Sequence, residues 1–325
     1  MIGSTVIFGD SLSDTGNLAT LLGGNKNLDI IFPQNTCGSM SNGPTWAELF
    51  AKKTNSRYNI GFSSKKYKLC NSITNFSIIG ANISSVGTSL PYQSLKFQTD
   101  AFLKKVNPCC GKKTNVIFLI GGNDIMFRVY PLIITYIITN QLSFSSITPT
   151  LLSSLIPNDI LQSYENEWTK VANVTIGSEK FLVSNCPNLT NSPFYINTYS
   201  PLLQSINWTF DESIKLGIMI LDTYTKLLQD KIDLWNTNNK CPFIGLLDIQ
   251  NISTEINTEK SKYGILFDNK YPVWNGNFND VPFSLNTYYN KNRCGKFAAF
   301  WDWIHPTKLV HCAIMQYILN IYINN

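Results

Sequence analysis

Five short apolar runs constrain this chain more than any other feature: Thr5–Phe8, Asn75–Ile79, Asn115–Ile120, Lys180–Ser184 and Phe243–Ile249. Each has the length and residue types of a buried strand, and continuous apolar character fits a parallel sheet covered on both faces. The segments between them are long enough for crossover helices, as at Pro44–Lys53, Ser94–Val106 and Asp211–Trp235. The last repeats apolar residues near helical spacing, at Ile214, Ile218, Leu221, Leu227 and Leu228. Strands alternating with helices imply βαβ units in an α/β fold, closed by a helix over Pro306–Ile323.

Two regions break that rhythm. Tyr130–Asn158 contains no charged residue. It reads first as helices buried against the sheet, and second as a lid or interfacial segment that meets lipid. Glu255–Asn292 is rich in Asn, Tyr, Phe and Pro, and reads as a long loop layer beside the last motif. No repeat or linker divides the 325 residues, so one domain is expected over 1–325.

The formal net charge of +5 is spread thinly, with no basic block, and gives nucleic acid no support as a partner. Eight cysteines without a CxxC pair, and only two histidines, argue against a zinc site. The even cysteine number suggests disulfides of unassigned pairing. Six N-x-S/T sequons, at Asn75, Asn82, Asn173, Asn188, Asn207 and Asn251, are what an Asn-rich chain produces by chance. The first strand follows Met1 too closely for a signal peptide, and no apolar stretch spans a membrane. An extracellular-facing location, with a leader already removed, is favoured over a cytoplasmic one. The oligomeric state is not encoded legibly.

The first strand runs into TVIFGDSLSDTGN, residues 5–17, which crowds Asp10, Ser11 and Asp14 at its carboxyl end. Ligands bind there in open α/β sheets. A phosphatase of the haloacid dehalogenase type needs two aspartates one residue apart, and Leu12 fills that position. A calcium loop fails at Leu12 and Gly16, and the GxxxxGK[ST] phosphate loop is absent. The remaining reading makes Ser11 a nucleophile, helped by its own backbone N–H and by the field of a following helix. The surroundings are not GxSxG, so this is no α/β-hydrolase elbow.

A serine nucleophile needs a base. His305 lies in AAFWDWIHPT, three residues after Asp302, which can hold the other ring nitrogen. His311 falls inside the final helix and reads as a packed or capping residue. VIFLIGGNDI, residues 116–125, ends in Asn123, whose amide can donate to an oxyanion; NFSIIGAN, residues 75–82, brings Gly80, whose N–H can approach a substrate closely.

This ordered set resembles the SGNH hydrolases, in particular the GDSL lipase/esterase family, over most of the chain. FGDSLSDTGN is similar to the family's first block, SNGPTWAELFA (41–51) to the segment after it, NFSIIGA to the second block, GGND to the third and FWDWIHPT to the last. The resemblance implies a three-layer α/β/α sandwich with a five-stranded parallel, flavodoxin-like sheet. It implies Ser11 as nucleophile, His305 as base and Asp302 as its partner. Ser11, Gly80 and Asn123 would form the oxyanion hole, with no metal and no cofactor. Ile79 and Trp303 stand where the family has smaller residues, and Trp303 is expected to line the substrate site. The implied activity is hydrolysis of lipid carboxylic esters, of lysophospholipase, phospholipase A or lipase type, with acyltransferase activity to a second alcohol. Peripheral membrane contact goes with that substrate. A carbohydrate acetylesterase and a non-catalytic glycan-binding protein are the rival readings.

Overall fold

The computed structural model describes residues 4–27, 38–63, 72–86, 90–105, 114–238, 241–266 and 299–324. Six parallel strands form one sheet: β1 (Thr5–Gly9), β2 (Arg57–Ile60), β3 (Ser72–Asn75), β4 (Asn115–Leu119), β5 (Phe181–Ser184) and β6 (Ile244–Leu247), in the order β2-β3-β1-β4-β5-β6. The expected five strands are therefore six. The addition is the edge strand β2; without it the order is that of a flavodoxin-like sheet. The order in which strands are added across the sheet reverses at β1, which pairs in parallel with β3 on one side and β4 on the other. That is the topological switch point where such sheets bind ligands.

Alternation along the strands divides the core into two layers. Val6, Phe8, Val116, Phe118, Phe181 and Val183 face one side. There they pack under α3 (Leu95–Lys105), α4 (Tyr130–Thr139), α5 (Pro149–Leu155), α6 (Asn158–Ala172), α7 (Pro193–Gln204) and α8 (Phe210–Thr237). Ile7, Ile73, Ile117, Leu119, Leu182 and Leu247 face the other side. They pack under α2 (Trp46–Lys53), α9 (Ile249–Thr258) and α10 (Lys308–Asn324). α8 opens on a capping box, in which Thr209 Oγ1 accepts from Glu212 N–H and Glu212 returns a bond to Thr209 N–H.

Several expectations shift. The second apolar run, 75–79, shares only Asn75 with β3 and continues past its end, yet it stays bonded to β1: Phe76 N–H donates to Ile7 O and Ile78 N–H to Gly9 O. Residues 130–158 form α4, a 3₁₀ turn and α5. Tyr130, Ile133, Ile134, Ile137, Ile147 and Leu152 enter the core, while Leu132 and Tyr136 stay exposed. The loop layer expected over 255–292 begins instead inside α9 and a 3₁₀ turn at Lys260–Tyr263; its remainder from 267 lies outside the described residues. Cys186, Cys241 and Cys312 are free thiols, and the other five cysteines lie outside the described residues, so the structure gives the expected disulfides no support. Among the described residues, no helix is long and apolar enough to cross a membrane.

Candidate active site

β1 ends at Gly9, where a side chain could not fit: a Cβ would stand 2.6 Å from Leu119 O and 2.8 Å from Ser77 Oγ. The buried Gln98 amide bonds both Gly9 backbone groups, accepting from its N–H at 2.9 Å and donating to its carbonyl at 2.7 Å. The chain then turns tightly, with Ser13 and Asp14 N–H both donating to Asp10 O. A helix does not follow at once, contrary to the sequence expectation. α1 (Asn17–Leu21) starts six residues after Ser11 and is five residues long, too short and distant to supply much field. The turn itself presents Ser11.

The two aspartates of the turn serve the backbone. Asp10 Oδ1 accepts from Leu12 N–H at 3.0 Å. Asp14 is completely buried and accepts four N–H bonds, from Gly16, Asn17, Leu18 and Ile79. Burial pushes both carboxyls up to about 6, against the pull of these donors. Neither is bonded to Ser11 Oγ.

Ser11 Oγ instead lies 2.8 Å from His305 Nε2. His305 Nδ1 lies 2.8 Å from Asp302 Oδ2 and 3.0 Å from Oδ1. A carboxylate only accepts, so Nδ1 carries the ring hydrogen and Nε2 is left to accept the serine proton. Asp302 is 0% exposed, Ser11 7% and His305 8%, a dry setting that strengthens both bonds. The loop holding the pair is closed on itself: Trp301 N–H donates to His305 O and Thr307 N–H to Ala299 O. Asp302 Oδ1 also takes the N–H of Ile304 and of His305, so one carboxylate fixes both loop and imidazole. Lys308 N–H at the start of α10 donates to Asn42 Oδ1, giving the SNGPT segment a part in anchoring this loop.

Gly80 and Asn123 sit at the carboxyl ends of the strands beside β1. Gly80 has φ +75°, and a Cβ there would lie 2.6 Å from Gln93 Nε2. Its neighbours are engaged, Ile79 N–H with Asp14 and Ala81 N–H with Ile78 O. The N–H groups of Gly80 and Ser11 bond to nothing among the described residues. Asn123 Nδ2 donates to Ala81 O at 2.9 Å, which joins the two loops and leaves its second hydrogen for another acceptor. Ser11, Gly80 and Asn123 thus each keep one N–H donor that bonds to nothing else among the described residues.

Trp303 is half-buried between Asp302 and His305, its carbonyl fixed by Phe194 N–H at 2.8 Å. An apolar pocket beside the triad is lined by Leu12, Leu189, Ile256, Ile304, Pro306 and Val310 among others, and Trp303 is not part of its wall. His311 is buried, and burial, then the nearby His305, lower its pKa to about 3, so it is a neutral packed imidazole. Sequence reasoning missed Asp124, whose buried carboxylate accepts from Ile83 N–H and Ser84 N–H. Its place directly after Asn123 was the available signal. A family model described as GDSL-like lipase/acylhydrolase matches residues 5–318. No curated protein matches the chain.

Proposed function

Because the chain belongs to the GDSL-like lipase/acylhydrolase family, a group of ester-bond hydrolases, we propose that it cleaves carboxylic esters of lipids through an acyl-enzyme on Ser11. The observation that carries the catalytic part is the unbroken chain Ser11 Oγ–His305 Nε2 at 2.8 Å and His305 Nδ1–Asp302 Oδ2 at 2.8 Å. Ser11 Oγ attacks the ester carbonyl while His305 takes its proton. The developing oxyanion is held by the N–H groups of Ser11 and Gly80 and the amide of Asn123. Asp302 stabilises the imidazolium, which then protonates the departing alcohol. Water, or a second alcohol such as a sterol, attacks the acyl-enzyme with His305 again as base.

The lipid part rests on the surroundings. Leu12, Ile304 and Pro306, the chain neighbours of Ser11 and His305, all line an apolar pocket. The exposed Leu132 and Tyr136 lie in an uncharged segment suited to touching a lipid surface. A lysophospholipase, phospholipase A or lipase activity with acyl transfer fits these features.

Hydrolysis of acetyl, butyryl, decanoyl and palmitoyl p-nitrophenyl esters, followed by lysophosphatidylcholine, tests the substrate class. Turnover rising with chain length is expected; a maximum at acetyl would overturn the lipid reading and leave an acetylesterase. Labelling by a fluorophosphonate tests the catalytic reading separately. Folded wild type should label and Ser11→Ala should not; an unlabelled wild type would remove the serine-esterase assignment altogether.

A further inference from the structure

We propose that Ser84, Arg128 and Asp159 form a clamp that positions the Gly80 loop for ester cleavage. The proposal rests on the assignment of Gly80 and Asn123 as oxyanion donors. A loop donor is useful only if held in place before the charge develops, since a displacement on the order of 1 Å can cost about a hundredfold in rate.

The loop from Ile79 to Ser84 is held at several points. At its start, Ile79 N–H donates to Asp14 Oδ2 at 2.9 Å. In its middle, Ala81 O accepts from Asn123 Nδ2 at 2.9 Å. At its end, Ile83 and Ser84 N–H donate to Asp124 at 2.7 and 3.3 Å. Asn123 and Asp124 therefore grip the loop together, and whatever holds Asp124 and Ser84 holds the donor geometry.

The clamp is that outer support. Ser84 Oγ donates to Asp159 Oδ2 at 2.6 Å and accepts Val86 N–H at 3.1 Å. The Arg128 guanidinium bonds both Asp159 oxygens, Nη1 to Oδ2 and Nη2 to Oδ1, each at 3.1 Å. Nη1 also stands 3.9 Å from Asp124 Oδ1, setting a positive charge beside a carboxylate that has no exposure. Planar two-point pairing of this kind fixes direction as well as distance. Arg128 lies in a π-helical segment, Ile125–Val129, that follows Asn123 and Asp124 directly. Such irregular turns collect at functional sites, where they redirect side chains. Asp159 lies in the first turn of α6, where a carboxylate is favoured.

The sequence frames the same pair. Residues 129–158 carry no charged side chain, and Arg128 and Asp159 are the charges that bracket them. The whole uncharged excursion is thus pinned at both ends to the oxyanion loop. Arg128 and Asp159 touch no reacting atom; they are positioning residues, acting through Ser84 and Asp124.

The test measures kcat and KM on p-nitrophenyl butyrate for Asp159→Asn and Arg128→Met, each alone and in an Asn123→Ala background. Both side chains are partly exposed, 38% and 21%, so folding should survive, and thermal melting checks it. Alone, each variant should lower kcat about tenfold with KM changed less than about twofold. In the Asn123→Ala background the further loss should shrink to less than about twofold, because the geometry being protected is already lost. Wild-type kcat in both folded single variants would overturn the clamp. So would an undiminished loss in the Asn123→Ala background, which marks a merely structural effect. Ser11→Ala is assayed alongside: if it retained turnover, the serine-esterase reading itself would fail, an outcome distinct from failure of the clamp.

Discussion

In the proposed mechanism Ser11 reacts through His305, and the two lie 294 residues apart in the chain. Replacing either should remove the activity: Ser11→Ala and His305→Ala are each expected to lower kcat by several orders of magnitude in a steady-state ester assay. Asn123→Ala should cost on the order of 10²–10³ in kcat, the usual loss for one oxyanion donor. His311 is the control at this scale. His311→Gln should retain turnover per folded molecule, and a loss matching His305→Ala would mean that the wrong base is assigned. The meeting of Ser11 with His305 was legible from sequence because a serine after a first strand calls for a base, and only two histidines were on offer. The buried carboxylates were less legible. Asp14 and Asp124 look like ordinary turn residues until the fold brings the N–H groups of residues 79, 83 and 84 to them.

Among the elements, β1 and its exit carry the heaviest constraint. Gly9→Ala would place a methyl group against Leu119 O and Ser77 Oγ. A destabilisation of about 1–3 kcal/mol is expected in urea denaturation, with a fall in kcat because Ser11 moves with the strand end. Gln98→Leu, at the same strand end, would leave the buried Gly9 N–H without its acceptor and the Gly9 carbonyl with only its bond from Ile78 N–H. The central strands announced themselves through apolar runs, but β2 did not. RYNI offers only Asn59 as a buried residue of the four, as expected for an edge strand with little core to face. β3 was displaced for a different reason: SITN is wholly buried yet polar at three of its four positions, and packing overrides its composition. The run that looked like a strand, 75–79, is the stretch still bonded to β1 as the chain bends away toward Gly80.

At the scale of the molecule, two unequal helical layers meet at one sheet, and α10 closes the smaller one. Val310, Ala313, Ile314, Ile318 and Leu319 join the core beneath it. This layer also contains His311, whose folded pKa of about 3 lies below its ordinary 6.5. Below pH 6.5 the unfolded chain binds a proton there that the folded chain refuses, so stability falls as pH falls toward about 3. The lost stabilisation reaches about 2 kcal/mol near pH 5. Urea midpoints measured across that range should decline more steeply for wild type than for His311→Gln; parallel curves would contradict the assignment. The layered α/β plan was readable because strand and helix periods differ so plainly. The pinning of residues 129–158 was not, because it depends on a pair, Arg128 and Asp159, that meets only across the finished fold.

The distance in sequence between nucleophile and base also imposes a timetable. A nascent chain on the ribosome can lay down β1 through β6 and still lack a proton acceptor for Ser11, since Asp302 and His305 are synthesised after every strand of the sheet. Contacts of such long range form late in folding as well, once the entropy of closing the loop has been met. On the proposed mechanism the chain is therefore silent toward esters until Asp302 and His305 have been made, and ester cleavage would report that these distant parts of the fold have come together.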